Sequence, residues 1–98
     1  MSRPKHYWYG IVQKMVYRYP RLSEDNEQER QYKTAIDAAL EQIEAEENGA
    51  EKIRAIRMVC FERRYTLDGA AQKLHYSHNT IQRWINRFIN QVGKNAGF

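Results

Sequence analysis

The sequence predicts an all-α protein of about five helices in a single small domain. Apolar residues recur at steps of three and four along several stretches of the chain, which is the spacing of one helix face. No stretch alternates apolar and polar residues over a useful length, so no strand is expected. The length of 98 residues suits one domain with a modest core, and no repeat or low-complexity linker divides it.

The first two helices are predicted from this spacing and from residues that start or stop helices. Pro4 suits a first helical turn, and Pro20 ends the first helix because the residue before a proline avoids helical angles. Ser23 is the expected N-cap of a long helix over about residues 24–47, and the Asn-Gly pair at 48–49 is its expected stop. The apolar stripe of this second helix is Tyr32, Ala35, Ile36, Ala39, Leu40 and Ile43.

Three further helices are predicted in the second half of the chain, and residues 94–98 after them are expected to fray. We divide the chain after residue 49. Residues 1–49 form an N-terminal helical hairpin suited to oligomerisation or to a partner, and residues 50–98 carry the last three helices. The predicted spans of these three helices are about 50–63, 67–74 and about 78–92.

Charge is distributed unevenly along the chain. Residues 1–22 hold five basic groups and no acid, residues 23–51 hold ten acids and two bases, and residues 52–98 hold nine bases and two acids. The net charge of +4 therefore hides an acidic middle between two basic ends. This distribution predicts a basic C-terminal face that can meet phosphate, with the acidic segment facing elsewhere. The acidic run Glu44, Glu46 and Glu47 is expected to be a solvated face.

Several classes of protein are not expected from this composition. The single cysteine, Cys60, allows neither an intrachain disulfide nor a thiolate zinc cluster, and we expect a small buried hydrophobe there. The histidines His6, His75 and His78 lack the paired spacing of zinc ligands, so no metal or other cofactor is expected. No phosphate-cradling glycine loop, nucleophile elbow or catalytic carboxylate constellation is present, so we expect no enzyme. No apolar run reaches the roughly 18 residues of a membrane span, and no secretory signal is recognised, so the cytoplasm is the expected location.

The most informative stretch covers residues 66–85. Thr66 and Ser77 can each cap the helix that follows. The small alanines at 70–71 let two helices cross closely, and His75 lies in the tight turn between them. This arrangement predicts a helix-turn-helix at the end of the domain. The residues expected to anchor its second helix to the core are Ile81, Trp84 and Ile85.

The spacing Ala-Ala-x-x-Leu-x-x-Ser-x-x-Thr-Ile-x-Arg-Trp over residues 70–84 closely resembles the helix-turn-helix signature of bacterial regulators. It is most similar to the C-terminal DNA-binding helices of sigma factors and of sigma-like phage regulators. With its Tyr-Trp-Tyr opening and acidic middle helix, the whole chain resembles small phage or prophage regulators of the ArpU/RinA type. Many such motifs carry glycine where this chain has His75, so left-handed backbone is expected there, at some cost to histidine.

The resemblance implies that the exposed start of the second helix of this motif meets double-stranded DNA. The candidates for contacts with base edges are Ser77, His78, Asn79, Gln82, Arg83 and Asn86. Phosphate contacts position a protein on DNA without reading its sequence. The candidates for phosphate contacts are Arg63, Arg64, Lys73, Thr80 and Arg87.

The sequence therefore predicts sequence-specific binding of double-stranded DNA by a phage-type transcriptional regulator. RNA polymerase is an expected partner, through the acidic helix or the first helix. A homodimer is expected because one small helix-turn-helix gives limited affinity, and the apolar stripe of the second helix is long enough for self-association. Two alternatives stay open: the small DNA-recognising subunit of a phage terminase, and a protein-interaction module with no DNA role.

Overall fold

The computed structural model describes residues 7–98 and contains five α-helices. A 3-10 turn at Tyr19–Arg21 follows the first helix, and a π-helical turn at Arg57–Phe61 extends the third. No strand occurs in residues 7–98, so the all-α prediction is confirmed. None of the helices in this part of the chain is long and apolar enough to cross a membrane. The helices are α1 (Tyr9–Tyr17), α2 (Glu27–Glu44), α3 (Gly49–Ile56), α4 (Leu67–Leu74) and α5 (His78–Asn95).

The starts of the first two helices are only partly those predicted. Pro4 and His6 lie outside the described residues, and α1 begins at Tyr9. The N-cap of α2 is Asn26, whose side-chain oxygen accepts a hydrogen bond from the backbone N–H of Glu29 at 3.2 Å. The prediction of Ser23 as this cap is wrong, because the Ser23 hydroxyl already accepts a local bond from the N–H two residues later, at 3.1 Å.

The break between α2 and α3 depends on two adjacent residues. Asn48 has left-handed backbone, with φ at 59°, a conformation that asparagine adopts more readily than most residues. Gly49 begins α3, and a Cβ at this position would lie 2.1 Å from the carbonyl oxygen of Glu44. The pair lies at the break, as predicted, but glycine is required there for close backbone approach and asparagine supplies the left-handed residue.

α5 lies at the centre of the fold and contacts each of the other four helices. Its side chains Ile81, Phe88 and Val92 are fully buried in one core that α1, α2 and α3 share. The stripe predicted on α2 packs into this core, where Ile36 and Ala39 are completely excluded from solvent. This stripe is therefore not available for self-association, because α5 covers it within the same chain.

The C-terminal segment is held by contacts with α1 and α2. α5 continues to Asn95, whose side-chain amide donates to a backbone carbonyl of α2 at 3.1 Å. Phe98 stacks on Trp8 with ring centroids 5.7 Å apart. Gly93 makes room for the Trp8 ring, since a Cβ there would lie 2.4 Å from it. The prediction that residues 94–98 fray is wrong, because the hydrogen bond of Asn95 and the stacking of Phe98 hold this segment in place although most of it stays exposed.

Candidate nucleic-acid interface

The helix-turn-helix consists of α4 and α5, each begun by a capping side chain. The hydroxyl oxygen of Thr66 accepts from the N–H of Gly69 at 3.1 Å, and that of Ser77 accepts from the N–H of Thr80 at 3.2 Å. Each bond satisfies one backbone donor that a helix start otherwise leaves without a partner. Both caps were predicted from the sequence, and together they fix where the two helices begin.

The turn between the two helices contains a left-handed residue, His75, with φ at 63° and ψ at 42°. The prediction from the motif is confirmed, because this is the position where many related motifs carry glycine. After the turn, the N–H of Tyr76 donates to the carbonyl of Ala71 at 2.9 Å and closes the end of α4. The turn therefore takes only three residues, 75–77, and α5 begins packed against α4.

The inner face of the motif is apolar and tightly closed. Ala70 has no exposed surface, which lets α5 cross α4 at short distance, and Ile81 and Ile85 on α5 are also buried. Trp84 is half-buried and packs edge-on against Tyr76, with ring centroids 4.7 Å apart. These contacts hold α5 rigidly, so its opposite face has a fixed position.

The outward face of the first two turns of α5 is polar and open. Asn79 and Gln82 are exposed and make no hydrogen bond to any residue in the described part of the chain. Arg83 is also exposed, and its guanidinium donates to the Thr80 hydroxyl at 3.3 Å. Thr80 is itself bonded to the Ser77 hydroxyl at 2.9 Å. Asn79, Gln82 and Arg83 thus keep donors and acceptors free for a ligand, whereas Ser77 and Thr80 use theirs in the cap.

His78 connects the starts of the two helices. Its Nδ1 lies 2.5 Å from a carboxylate oxygen of Asp68, in the first turn of α4. The Asp68 side chain is 77% exposed, so water weakens this contact. The bond orients the imidazole ring and leaves its Nε2 without a partner among residues 7–98.

Asn86 is engaged within the protein. The Tyr9 hydroxyl donates to its side-chain oxygen at 2.5 Å, which joins α1 to the middle of α5. Burial raises the pKa of Tyr9 to about 12, so this hydroxyl stays protonated and acts as the donor. Asn86 is half-buried, and its carbonyl group is used to position α1.

Arg87 is also engaged within the protein. Its Nε donates to both carboxylate oxygens of Glu46 at 3.0 Å, and the Lys52 ammonium lies 3.0 Å from the same carboxylate. The bond from Arg87 and then that from Lys52 hold the pKa of Glu46 down at about 2, against the opposing effect of burial. The Glu46 side chain is only 24% exposed, so the prediction of a wholly solvated acidic run is wrong at this residue.

The other basic candidates surround α4. Arg64 is exposed and makes no ion pair in the described residues. Arg63 has left-handed backbone, with φ at 56°, and its guanidinium lies over the Tyr17 ring at 5.3 Å from the centroid. Lys73 lies in a groove of about 330 Å³ that it shares with arginines of α3 and of the π-helical turn. Arg63 therefore packs against α1 while Lys73 lies beside α3, so these two candidates are not in one cluster.

Sequence reasoning missed three contacts that decide which candidates stay free. Tyr9 and Asn86 are 77 positions apart and Glu46 and Arg87 are 41 apart, and no local signal relates the members of either pair. The contact between Asp68 and His78 could have been found, because the two residues occupy the first turns of the two helices that the motif brings together.

The same part of the structure contains no assembled metal site. No group of three or more histidine, cysteine, aspartate or glutamate side chains in residues 7–98 is arranged to hold an ion. Cys60 is fully buried, as predicted, and burial raises the pKa of its thiol to about 12. The thiol therefore stays protonated and packs as an apolar group.

Comparison with known proteins identifies the same three helices. Residues 48–93, from the start of α3 to near the end of α5, match the family model of the homeodomain-like domain. No curated protein and no solved structure matches this chain at a significant level. Helix-turn-helix domains of this kind are typically non-enzymatic. The match, together with the capped and closely crossed pair α4 and α5, supports a helix-turn-helix protein that binds DNA.

Proposed function

We propose that this protein binds double-stranded DNA sequence-specifically, with the first two turns of α5 in the major groove. One observation carries the proposal. Asn79, Gln82 and Arg83 are exposed side by side at the start of a helix whose opposite face is locked into the core. An α-helix fits the major groove, and amide and guanidinium side chains make the paired hydrogen bonds that distinguish base edges there.

The contacts divide into base reading and positioning. Arg83 suits a guanine edge, and Asn79 and Gln82 suit adenine. Arg64, in the segment before α4, and Lys73, on α4, make no ion pair in the described residues and suit phosphate contacts. The contacts described above support this smaller set. Caps, Asp68, Tyr9 and Glu46 already use polar groups of Ser77, Thr80, His78, Asn86 and Arg87, and the Arg63 guanidinium lies over the Tyr17 ring beside α1.

Transcriptional regulation of the phage type is the role that we propose for this binding. The resemblance of residues 70–84 to sigma-like phage regulators supports it. We further propose that the protein acts as a homodimer on paired half-sites and contacts RNA polymerase through an exposed face of α1 or α2. The small size of the motif supports the dimer, since one helix in one groove gives limited affinity.

Fluorescence anisotropy of a labelled duplex across a salt series tests the proposal. The duplex carries sequence from around the protein's own gene, and a scrambled duplex of equal composition is the control. We expect tighter binding of the native duplex, and binding to both that weakens steeply with salt as counterions are released.

Two variants separate base reading from positioning. Arg83→Ala should remove roughly 1–3 kcal/mol of discrimination between the duplexes, because a paired contact with a base edge is lost. Arg64→Ala should weaken binding to both duplexes equally, since phosphates are the same in each. Equal effects of the two variants on discrimination would contradict the assignment, and no binding to either duplex at low salt would contradict DNA binding itself.

A further inference from the structure

The outward face of α1 forms a groove of about 350 Å³ with the loop that follows the π-helical turn. Its rim is basic and its floor is partly apolar, and we call it the α1 groove. Ile11 on the floor is 47% exposed, although isoleucine is usually buried. The residues of the rim are Lys14, Arg18 and Arg63, and those of the floor are Ile11, Met15 and Tyr17.

The cations of the α1 groove have little protein anion to balance them. Arg18 lies 3.7 Å from Glu29, and its side chain is 56% exposed, so this pair is weak. Lys14 makes no ion pair in the described residues, and Arg63 contacts the Tyr17 ring and no carboxylate within 4 Å. Three cations that converge with one weak acidic partner attract an external anion.

The position of the α1 groove follows from contacts at its two ends. Near one end, the bond from Tyr9 fixes α1 to Asn86, which lies at helical spacing from Gln82 and Asn79 on α5. At the other end, Arg63 adjoins Arg64, in the segment that leads into α4. These contacts place α1 beside the exposed face of α5 through its buried Tyr9, and they place the Arg63 end of the groove next to the segment that leads into α4.

The opposite flank of α5 has a different charge. There Glu46 forms an ion pair with Arg87, and the neighbouring Glu44 and Glu47 are exposed. A duplex that follows α5 meets cations along α1 and carboxylates near the turn between α2 and α3. Electrostatics alone thus orients the duplex towards α1.

We propose that the α1 groove binds the sugar-phosphate backbone of the same duplex that α5 reads, an inference that rests on the proposed function. Lys14 and Arg63 contact phosphate oxygens, Arg18 adds positive charge beside them, and the apolar floor meets deoxyribose. α1 is thus a second DNA-contacting element, outside the residues 48–93 that match the homeodomain-like family.

The test is the salt dependence of binding by the full chain to the native labelled duplex. Each phosphate contact contributes about 0.9 to the slope of log association constant against log salt concentration. The slope is negative, and losing a contact makes it shallower. Its magnitude should fall by about 2 in the double variant Lys14→Gln/Arg63→Gln and by about 1 in Lys14→Gln alone, with the preference for the native duplex unchanged. Lys14→Gln alters an exposed side chain that has no hydrogen-bond or ion-pair partner among residues 7–98, so the variant is expected to fold normally.

Two control variants make the result specific. The pair Lys14→Arg/Arg63→Lys keeps both charges and should keep the wild-type slope. Lys33→Gln changes charge equally but lies on α2, where Lys33 pairs with Glu24 at 3.1 Å, and it should leave the slope unchanged. A slope that falls equally in Lys33→Gln and Lys14→Gln would overturn the inference, since the effect would come from net charge.

The remaining outcomes separate this inference from the proposed function. If the wild-type chain prefers the native duplex but the double variant keeps its slope, the α1 groove does not lie on the DNA. DNA binding by α5 then stands, and an acidic protein segment becomes the occupant that fits these charges. If the wild-type chain binds no duplex at low salt, both the inference and the proposed function are overturned.

Discussion

The two halves of α5 use polar side chains in opposite ways. In the first half, Asn79 and Gln82 are exposed and make no hydrogen bond in the described residues. In the second half, Arg87 is tied to Glu46, and Asn95 donates to a carbonyl of α2. One continuous helix of 18 residues, about 27 Å long, therefore presents an open polar surface at one end and is built into the protein at the other.

The difference shows where to look for function on a helix that is amphipathic throughout. Exposure alone does not distinguish the halves, because Asn90 and Lys94 are exposed as well. The first half is distinguished by position: Asn79, Gln82 and Arg83 lie together at the start of the helix, beside the capped turn of the motif, where buried contacts fix the backbone. The two halves should therefore respond differently to substitution.

The largest effect is expected from Phe88→Ala in the second half. Phe88 is fully buried and packs edge-on against Phe61, with ring centroids 6.1 Å apart. Its removal therefore leaves a cavity in the core. The free energy of unfolding should fall by about 3–5 kcal/mol, measured by urea denaturation. Gln82→Ala is the matched control in the first half and should leave stability within about 0.5 kcal/mol of wild type. A similar loss in both variants would erase the distinction between the halves.

A smaller effect is expected from Glu46→Gln, which removes the carboxylate bound by Arg87 near the middle of α5. The pKa of Glu46 is lowered in the folded protein from an ordinary 4.5 to about 2. Its ionised form therefore stabilises the fold above about pH 4.5, and this stabilisation is lost as the pH falls towards 2. The variant should lose about 1 kcal/mol at neutral pH, and its stability should fall less steeply between pH 4.5 and 2.

The same variant should free Arg87 for a phosphate. Binding to native and scrambled duplexes should then strengthen to the same extent, because a carboxylate has gone and a cation has been released. Unfolding curves at several pH values and duplex titrations measure the two effects. An acid limb identical to that of wild type would show that the bond between Arg87 and Glu46 does not stabilise the fold.

The smallest effect is expected from His75→Gly in the turn before α5. Left-handed backbone costs a non-glycine residue about 1–2 kcal/mol, and glycine removes this cost. Glycine also raises the entropy of the unfolded chain, which destabilises the fold by about 0.4–1 kcal/mol. The net gain should be about 0.5 kcal/mol, which thermal unfolding detects as a rise of a few degrees. His75→Val should lower stability, since a β-branched residue tolerates this conformation poorly. A destabilised glycine variant would mean that the histidine ring itself stabilises the turn.

Much of the fold could be predicted because its signals are local. The hydroxyl oxygens of Thr66 and Ser77 each accept a hydrogen bond from the backbone N–H three residues later and so cap their helices. Left-handed backbone at His75 follows from its place in the motif. Periodicity located all five helices, since burying one face of a helix requires apolar residues at steps of three and four. The errors at Ser23 and in residues 94–98 arose where neighbouring polar residues or distant aromatic rings decided the outcome.

The sequence by itself thus determined the helices, the caps and the turn of the motif, because these depend on backbone donors and side chains a few positions apart. Only the tertiary structure decided which polar residues stay free. The contacts of Tyr9 with Asn86 and of Glu46 with Arg87 join positions far apart in the chain. A side chain in water keeps its hydrogen-bonding capacity for a ligand, whereas one that has met a partner across the fold has already used it.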